Sequence, residues 1–137
     1  MKSSTSIRSG RHCVFLMHVH LVFVTKYRRK VFSKTMLKTM KMVFEEVCDK
    51  FEASLVEFNG ESDHVHLLIN HPPKVAVSRL VNSLKGVSSR ILRRDFPSLG
   101  KNCLRSQLWS SSYFAGSCGG APLTVIKQYI ENQTKLV

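Results

Sequence analysis

No stretch of this sequence stays apolar long enough to cross a membrane. The most hydrophobic run, Val14 to Val24, is interrupted by His18 and His20 and falls well short of the about 20 residues that a span needs. The opening segment, Met1 to Arg11, is Ser-rich and basic, and no apolar core ending in a small-residue cleavage site follows it. The segment is therefore expected to be a flexible basic arm and not a secretory signal, on a protein of the cytoplasm. Cysteines are sparse. Cys13, Cys48, Cys103 and Cys118 show no C-x-x-C spacing, which argues against both a disulfide framework and a cysteine zinc site. Cys13 and Cys48 instead sit in apolar periodic segments, as small buried thiols do. Repeats and linkers are missing too, so residues 12–137 are expected to fold as one domain. A phosphate loop of the G-x-x-x-x-G-K-[ST] type is absent, and with it the usual means of using ATP.

Acidic residues are also in short supply, and this shortage is informative. Asp and Glu total 9 against 21 Lys and Arg, a formal balance of +12 on 137 residues. So large an excess on a small domain points to a polyanionic partner, and nucleic acid is the commonest one. A basic surface of the ribosomal kind has the same charge, so charge alone does not choose.

The periodicity predicts seven elements. His12 to Thr25 is β-branched, aromatic and apolar, which favours a long strand. Ser33 is an N-cap for a helix to about Phe51, with Leu37, Met40, Phe44, Val47 and Phe51 at three- and four-residue steps. A strand from Ala53 to Phe58 runs into the turn signal Asn59-Gly60, and a second hairpin strand spans His64 to Asn70. After His71-Pro72-Pro73 comes a helix from Val75 to Asp95 with the stripe Val77, Leu80, Val81, Leu84, Val87, Ile91 and Leu92. Leu108 to Cys118 reads as a strand, Gly119-Gly120 ends it, and Pro122 opens a final helix to about Lys135. Six of these seven follow the βαββαβ order of ferredoxin-like α+β folds, an antiparallel sheet with two helices on one face. The last helix is an addition. That fold hosts many activities and specifies none.

Two groups of residues carry chemistry. On the predicted strand His64–Asn70, Val65, Leu67 and Ile69 share one face, and His64 and His66 project from the other. Two imidazoles about 6 to 7 Å apart on a rigid strand can converge on one divalent ion. An H-x-H pair is more often just an exposed polar pair, and His18-Val19-His20 has the same spacing on a strand expected to lie alongside. Those two histidines, embedded in a longer apolar strand, are expected to be structural or to support the other pair. On the final helix, Tyr129 and Gln133 lie one turn apart beside the apolar stripe of Leu123, Ile126 and Ile130. A tyrosine there is ordinary core packing. A glutamine in an inward arc is less ordinary, because its amide needs partners, and a metal would be one.

Five segments share a pattern with a known family: His20-Leu21-Val22-Phe23-Val24-Thr25-Lys26-Tyr27-Arg28-Arg29, Asp63-His64-Val65-His66-Leu67-Leu68-Ile69, Leu84-Lys85-Gly86-Val87-Ser88-Ser89-Arg90, Trp109-Ser110-Ser111-Ser112-Tyr113-Phe114 and Val125-Ile126-Lys127-Gln128-Tyr129-Ile130-Glu131-Asn132-Gln133. In this order the chain resembles the single-tyrosine HUH transposases of small insertion sequences, the TnpA type and its REP-associated relatives. The resemblance implies Tyr129 as nucleophile, and His64, His66 and Gln133 as ligands of Mg²⁺ or Mn²⁺. It further implies a homodimer in which the tyrosine helix of one subunit can complete the other's site, with Gly119-Gly120 as a suitable joint. The implied substrate is single-stranded DNA with hairpins near the element ends, cut and rejoined through a 5′-phosphotyrosine. Lys26, Arg28, Arg29 and Lys30 form one basic run for DNA, and Arg79, Arg90 and Arg93 a second patch. Tyr27, Trp109, Tyr113 and Phe114 are possible base-stacking groups, although core packing suits most of them better.

Other readings stay open at this point. A hairpin-specific endonuclease that mobilises no element would share every site residue. A non-catalytic nucleic-acid-binding module would need neither metal nor Tyr129, although no RNP-type Gly–aromatic motif appears on the strands. A metal-sensing or structural basic protein would use the histidines alone.

Overall fold

Alternation along the first long strand decides the layering. Val19, Leu21 and Phe23 point to one side and join the main core, whereas Val22 and Val24 point to the other and belong to a separate small cluster. The computed structural model describes residues 7–9, 14–102, 107–117 and 128–132. Within them the order is β1 (Arg8–Ser9), β2 (Val14–Phe15), β3 (His18–Val24), α1 (Lys34–Lys50), β4 (Ser54–Gly60), β5 (His64–Asn70), α2 (Val77–Asp95), α3 (Pro97–Asn102) and β6 (Phe114–Ser117), then a helical run at 128–132. Strands β4, β5, β3 and β6 lie in that order in one antiparallel sheet. This is the expected α+β sheet, with α1 and α2 packed together on one face.

Local chemistry sets the helix ends. Ser33 caps α1 as expected, its hydroxyl accepting from the Met36 amide at 3.2 Å. Met36, Met40, Val43, Phe44, Val47 and Cys48 are the buried face. The chain leaves the helix through Glu52 at φ 58°. On α2 the buried stripe is Leu80, Val81, Leu84 and Leu92, with Ser88 buried among them. Ser88 fits there because its hydroxyl accepts from Trp109 Nε1 at 3.0 Å and donates to the Lys85 carbonyl at 3.1 Å. The Cys48 thiol lies in the core, and burial pushes its pKa up to about 12, as expected of an inert thiol. Cys13, Cys103 and Cys118 lie outside the described residues.

Three segments differ from the sequence reading. The first strand is not continuous: Val14–Phe15 pairs with Arg8–Ser9, and β3 begins only at His18, with Leu16 and Met17 exposed between them. Asn59-Gly60 is not the hairpin turn but the end of β4, and the turn falls at Glu61–Asp63. Gly60 lets Leu37 pack close there: a Cβ would stand 2.5 Å from Leu37 Cδ2 and make that side chain shift. The last strand is shorter than Leu108–Cys118. Trp109 makes an isolated bridge with Thr25, and regular pairing resumes only at Phe114. In between, the Lys85 ammonium donates to the carbonyls of Ser110 at 2.7 Å and Ser112 at 3.3 Å, holding that backbone off the ladder. The predicted joint at Gly119-Gly120 and the start of the final helix lie outside the described residues. No described helix is long and apolar enough to cross a membrane.

Candidate active site

Cross-strand register brings the histidines together. Val24 faces His64 and Val22 faces His66 across β3 and β5, so side chains at these positions share the sheet face that α1 and α2 leave uncovered. The His64 and His66 rings lie 5.1 Å apart, and His20 joins them with its ring 5.6 Å from that of His66. His20 thus flanks the pair, whereas His18 pairs with Asn70 at the far end of the strand.

His64 is held by its neighbour. Its Nδ1–H donates to Asp63 Oδ1 at 2.8 Å, and the second oxygen of that buried carboxylate accepts from Arg28 Nε at 3.2 Å. With Nδ1 carrying the proton, the lone pair of His64 is left on Nε2. Arg28 reaches Asp63 from a 3-10 turn in which Tyr27 and Arg28 both adopt left-handed backbone, φ 63° and 53°. Two consecutive non-glycine residues in that region mark a locally strained turn. Thr25 braces it, donating through its hydroxyl to the Arg29 carbonyl at 2.8 Å. At His66, burial, aided by the neighbouring His64 and His20, lowers the pKa to about 4. Its imidazole is neutral at physiological pH and has a lone pair to give.

Asp63 has no role in the expectations from sequence alone. Its signal was an acid directly before the first histidine. Asp-His-metal arrangements of this kind fix the ligand's tautomer and raise its basicity. The two imidazoles therefore fit a divalent ion of the Mn²⁺ or Mg²⁺ class, with imidazole favouring Mn²⁺. Among the described residues no three His, Cys, Asp or Glu side chains form a metal-holding group. Gln133, the expected third ligand, lies outside the described residues.

Tyr129 approaches the same sheet face. Its ring packs against Phe114 at 5.9 Å between centroids and joins the cluster of Val22, Val24 and Ile130. These valines are the direct cross-strand neighbours of His66 and His64. Phe114 in turn meets the His20 ring edge-on at 6.4 Å. The helical run at 128–132 thus sets its tyrosine on the sheet of its own chain. The Tyr129 hydroxyl shares a 2.9 Å hydrogen bond with Ser112 Oγ. Burial raises its pKa above the ordinary tyrosine value, and the Ser112 bond offsets part of that, so the phenol rests protonated.

The chain matches the family described as "Transposase IS200 like" over residues 13–133. It belongs to the IS200-like transposases. Among relatives of this transposase, the ISDra2 transposase TnpA of Deinococcus radiodurans is 28% identical over 127 residues, covering 93% of this chain and 91% of the relative. The transposase for insertion sequence element IS200 of Salmonella typhimurium is 30% identical over 126 residues, covering 92% and 82%. A crystal structure of a transposase from Deinococcus radiodurans superimposes with a TM-score of 0.82 at 30% identity, over 92% of this chain and 97% of that one. A REP-associated tyrosine transposase, solved bound to a REP hairpin, shares the fold at a TM-score of 0.55 and 10% identity, over 90% and 68% of the two chains.

The basic residues of this transposase separate into distinct places. Arg28 serves Asp63, while Lys26 and Arg29 lie over the exposed Tyr27 ring at 5.5 and 5.1 Å. Arg79 lines a depression near the start of α2 with Lys50 and Lys74. Arg90 and Arg93 line a different cavity farther along that helix. Of the aromatic residues considered for stacking, Trp109 is buried in the core and Tyr27 is exposed.

Proposed function

We propose that this transposase cuts and rejoins single-stranded DNA at insertion-sequence ends through a 5′-phosphotyrosine on Tyr129. The observation that supports the reading is that the tyrosine lies on the sheet face that bears the histidine pair, packed beside Phe114, Val22 and Val24. His64 and His66, with Gln133 as third donor, would hold a Mg²⁺ or Mn²⁺ ion. Such an ion, when bound, supplies charge stabilisation at a non-bridging oxygen of the scissile phosphate.

The chain's own residues account for the remaining steps. Asp63 keeps the His64 lone pair directed outward, and Arg28 holds Asp63 in place. The Tyr129 oxygen attacks phosphorus in line, the P–O3′ bond breaks, the phenolic proton passes to solvent or a nearby base, and the 3′ oxygen leaves as a hydroxyl. A 3′ hydroxyl from a second cut end then attacks the phosphotyrosine, forming the new phosphodiester and returning the phenol. Bond energy is conserved in the covalent link, so no ATP is consumed. Ser112 holds the phenol beforehand and, when its bond opens, frees the oxygen to turn toward phosphate.

The DNA partner is read as a strand with subterminal hairpins. The +12 balance supports it, as does the REP hairpin held by the distant structural relative. The working unit is proposed as a homodimer, to be checked by light scattering on the eluting peak of a size-exclusion column.

Incubation with single-stranded DNA carrying an element end should give a protein–DNA adduct on a denaturing gel when Mn²⁺ is present. EDTA should abolish it, and Tyr129→Phe should lose it while still binding DNA. An adduct that survives Tyr129→Phe sinks the assignment of the nucleophile.

A further inference from the structure

A second cavity lies across the sheet edge from the tyrosine. It has a volume of about 790 Å³, within the range of pockets that hold small ligands, and lies between α2 and the segment 107–111. Lys85, Arg90 and Arg93 line it, with Ser89 and Ser111 beside them, and none of its described lining residues is acidic. Arg93 is the telling residue. Its Nε and Nη2 atoms are buried without a hydrogen-bond partner, a costly state for a guanidinium. Arg93 lines the cavity, and a turn of its side chain toward an anion there would give both nitrogens a partner. Gly86 leaves the wall open, since a Cβ there would have nothing within 4 Å.

The cavity is linked to the reaction side by one short path. Lys85 fixes the carbonyls of Ser110 and Ser112, and the Ser112 hydroxyl bonds the Tyr129 phenol. Because Ser110 donates its amide to the Val24 carbonyl, this segment wraps the edge of the sheet. A strand seated in the cavity can therefore pass round that edge toward the phenol.

We propose that the cavity binds a phosphodiester of the single-stranded DNA flanking the cleavage point, with the phosphate on Arg93 and Arg90 and the neighbouring sugar or base over Gly86. The proposal rests on the reading of single-stranded DNA as substrate. The shape favours one flexible strand, because the cations line a concavity and not a ridge suited to the face of a duplex.

The test measures binding of a fluorescent single-stranded DNA, the same sequence as RNA and the annealed duplex. The proteins are the intact chain, Arg90→Gln/Arg93→Gln and Gly86→Leu. The arginine variant should bind single-stranded DNA at least about tenfold more weakly. It should also lower the salt slope of log K by about 1.4, two contacts at the single-strand value. Gly86→Leu fills the void with every charge intact and places a better helix former in α2, so it should fold and show a similar loss. Iodouracil placed beside the cleavage point should crosslink to a peptide from residues 85–93 or 107–111. Unchanged binding by folded Gly86→Leu, or crosslinks only elsewhere, overturns the proposal, and tighter binding of RNA overturns its assignment to DNA. A Tyr129 adduct that forms normally while Gly86→Leu binds like the parent removes the cavity alone. Loss of binding in the variants of a protein that never forms an adduct removes the nuclease reading and leaves the cavity standing.

Discussion

Asp63 uses both of its carboxylate oxygens, one on His64 and one on Arg28, and it does so while almost fully buried. Removing the charge while keeping the shape should expose what that arrangement does. In Asp63→Asn the side-chain amide no longer insists on a protonated Nδ1, so His64 can turn or change tautomer. Mn²⁺ affinity, measured by titration calorimetry on the intact chain, should fall by about tenfold or more, the usual effect of losing a carboxylate behind a ligating histidine. Circular dichroism should show the fold retained. An unchanged Mn²⁺ affinity would remove Asp63 from the site. The sequence made the shared face of His64 and His66 legible, because a strand's two-residue period needs only local information. It could not show Arg28 on Asp63, since those residues are 35 positions apart and meet only through a strained turn. Tyr129 was legible by its place in a motif, whereas Ser112 as its hydrogen-bond partner was one serine in a run of three.

Among elements, α2 shows how a single polar side chain organises an apolar contact. Ser88 sits in the buried stripe as the acceptor for Trp109 Nε1 while donating to the Lys85 carbonyl. Ser88→Ala leaves that indole N–H orphaned in the core, which should cost about 1–3 kcal/mol in urea denaturation. A variant as stable as the parent would show that the bond contributes nothing net. Boundaries set within an element were readable in advance. Ser33 caps α1, and β5 has the expected limits His64–Asn70. Boundaries imposed by a distant partner were not. Val14–Phe15 is taken by Arg8–Ser9, and residues 111–113 are held off the β3 ladder beside a lysine on α2, neither of which leaves a trace in local hydrophobic period.

For the molecule as a whole, acid should act through the buried imidazole. The folded protein holds the His66 pKa at about 4 against an ordinary value of 6.5, so the folded state prefers the neutral ring. As pH falls below 6.5 the unfolded chain takes up that proton first, and stability is lost progressively until about 4. Above 6.5 both states are neutral at this position and it contributes no slope. Thermal unfolding of the metal-free protein should therefore show a midpoint that declines across this window more steeply in the parent than in His66→Asn. Equal slopes would place the proton elsewhere.

The sheet also acts as a partition. One side is sealed by α1 and α2 and contains the large apolar core, while the side bearing His64, His66 and Tyr129 has, among the described residues, the small cluster of Val22, Val24 and Ile130 with Phe114 and Tyr129. The large core and the proposed reaction site thus occupy opposite surfaces of the same four strands. Substitutions that retune the reaction can accumulate on one without disturbing the other, so a catalytically dead copy of this chain should persist in the cell as a well-folded competitor for the DNA of active ones.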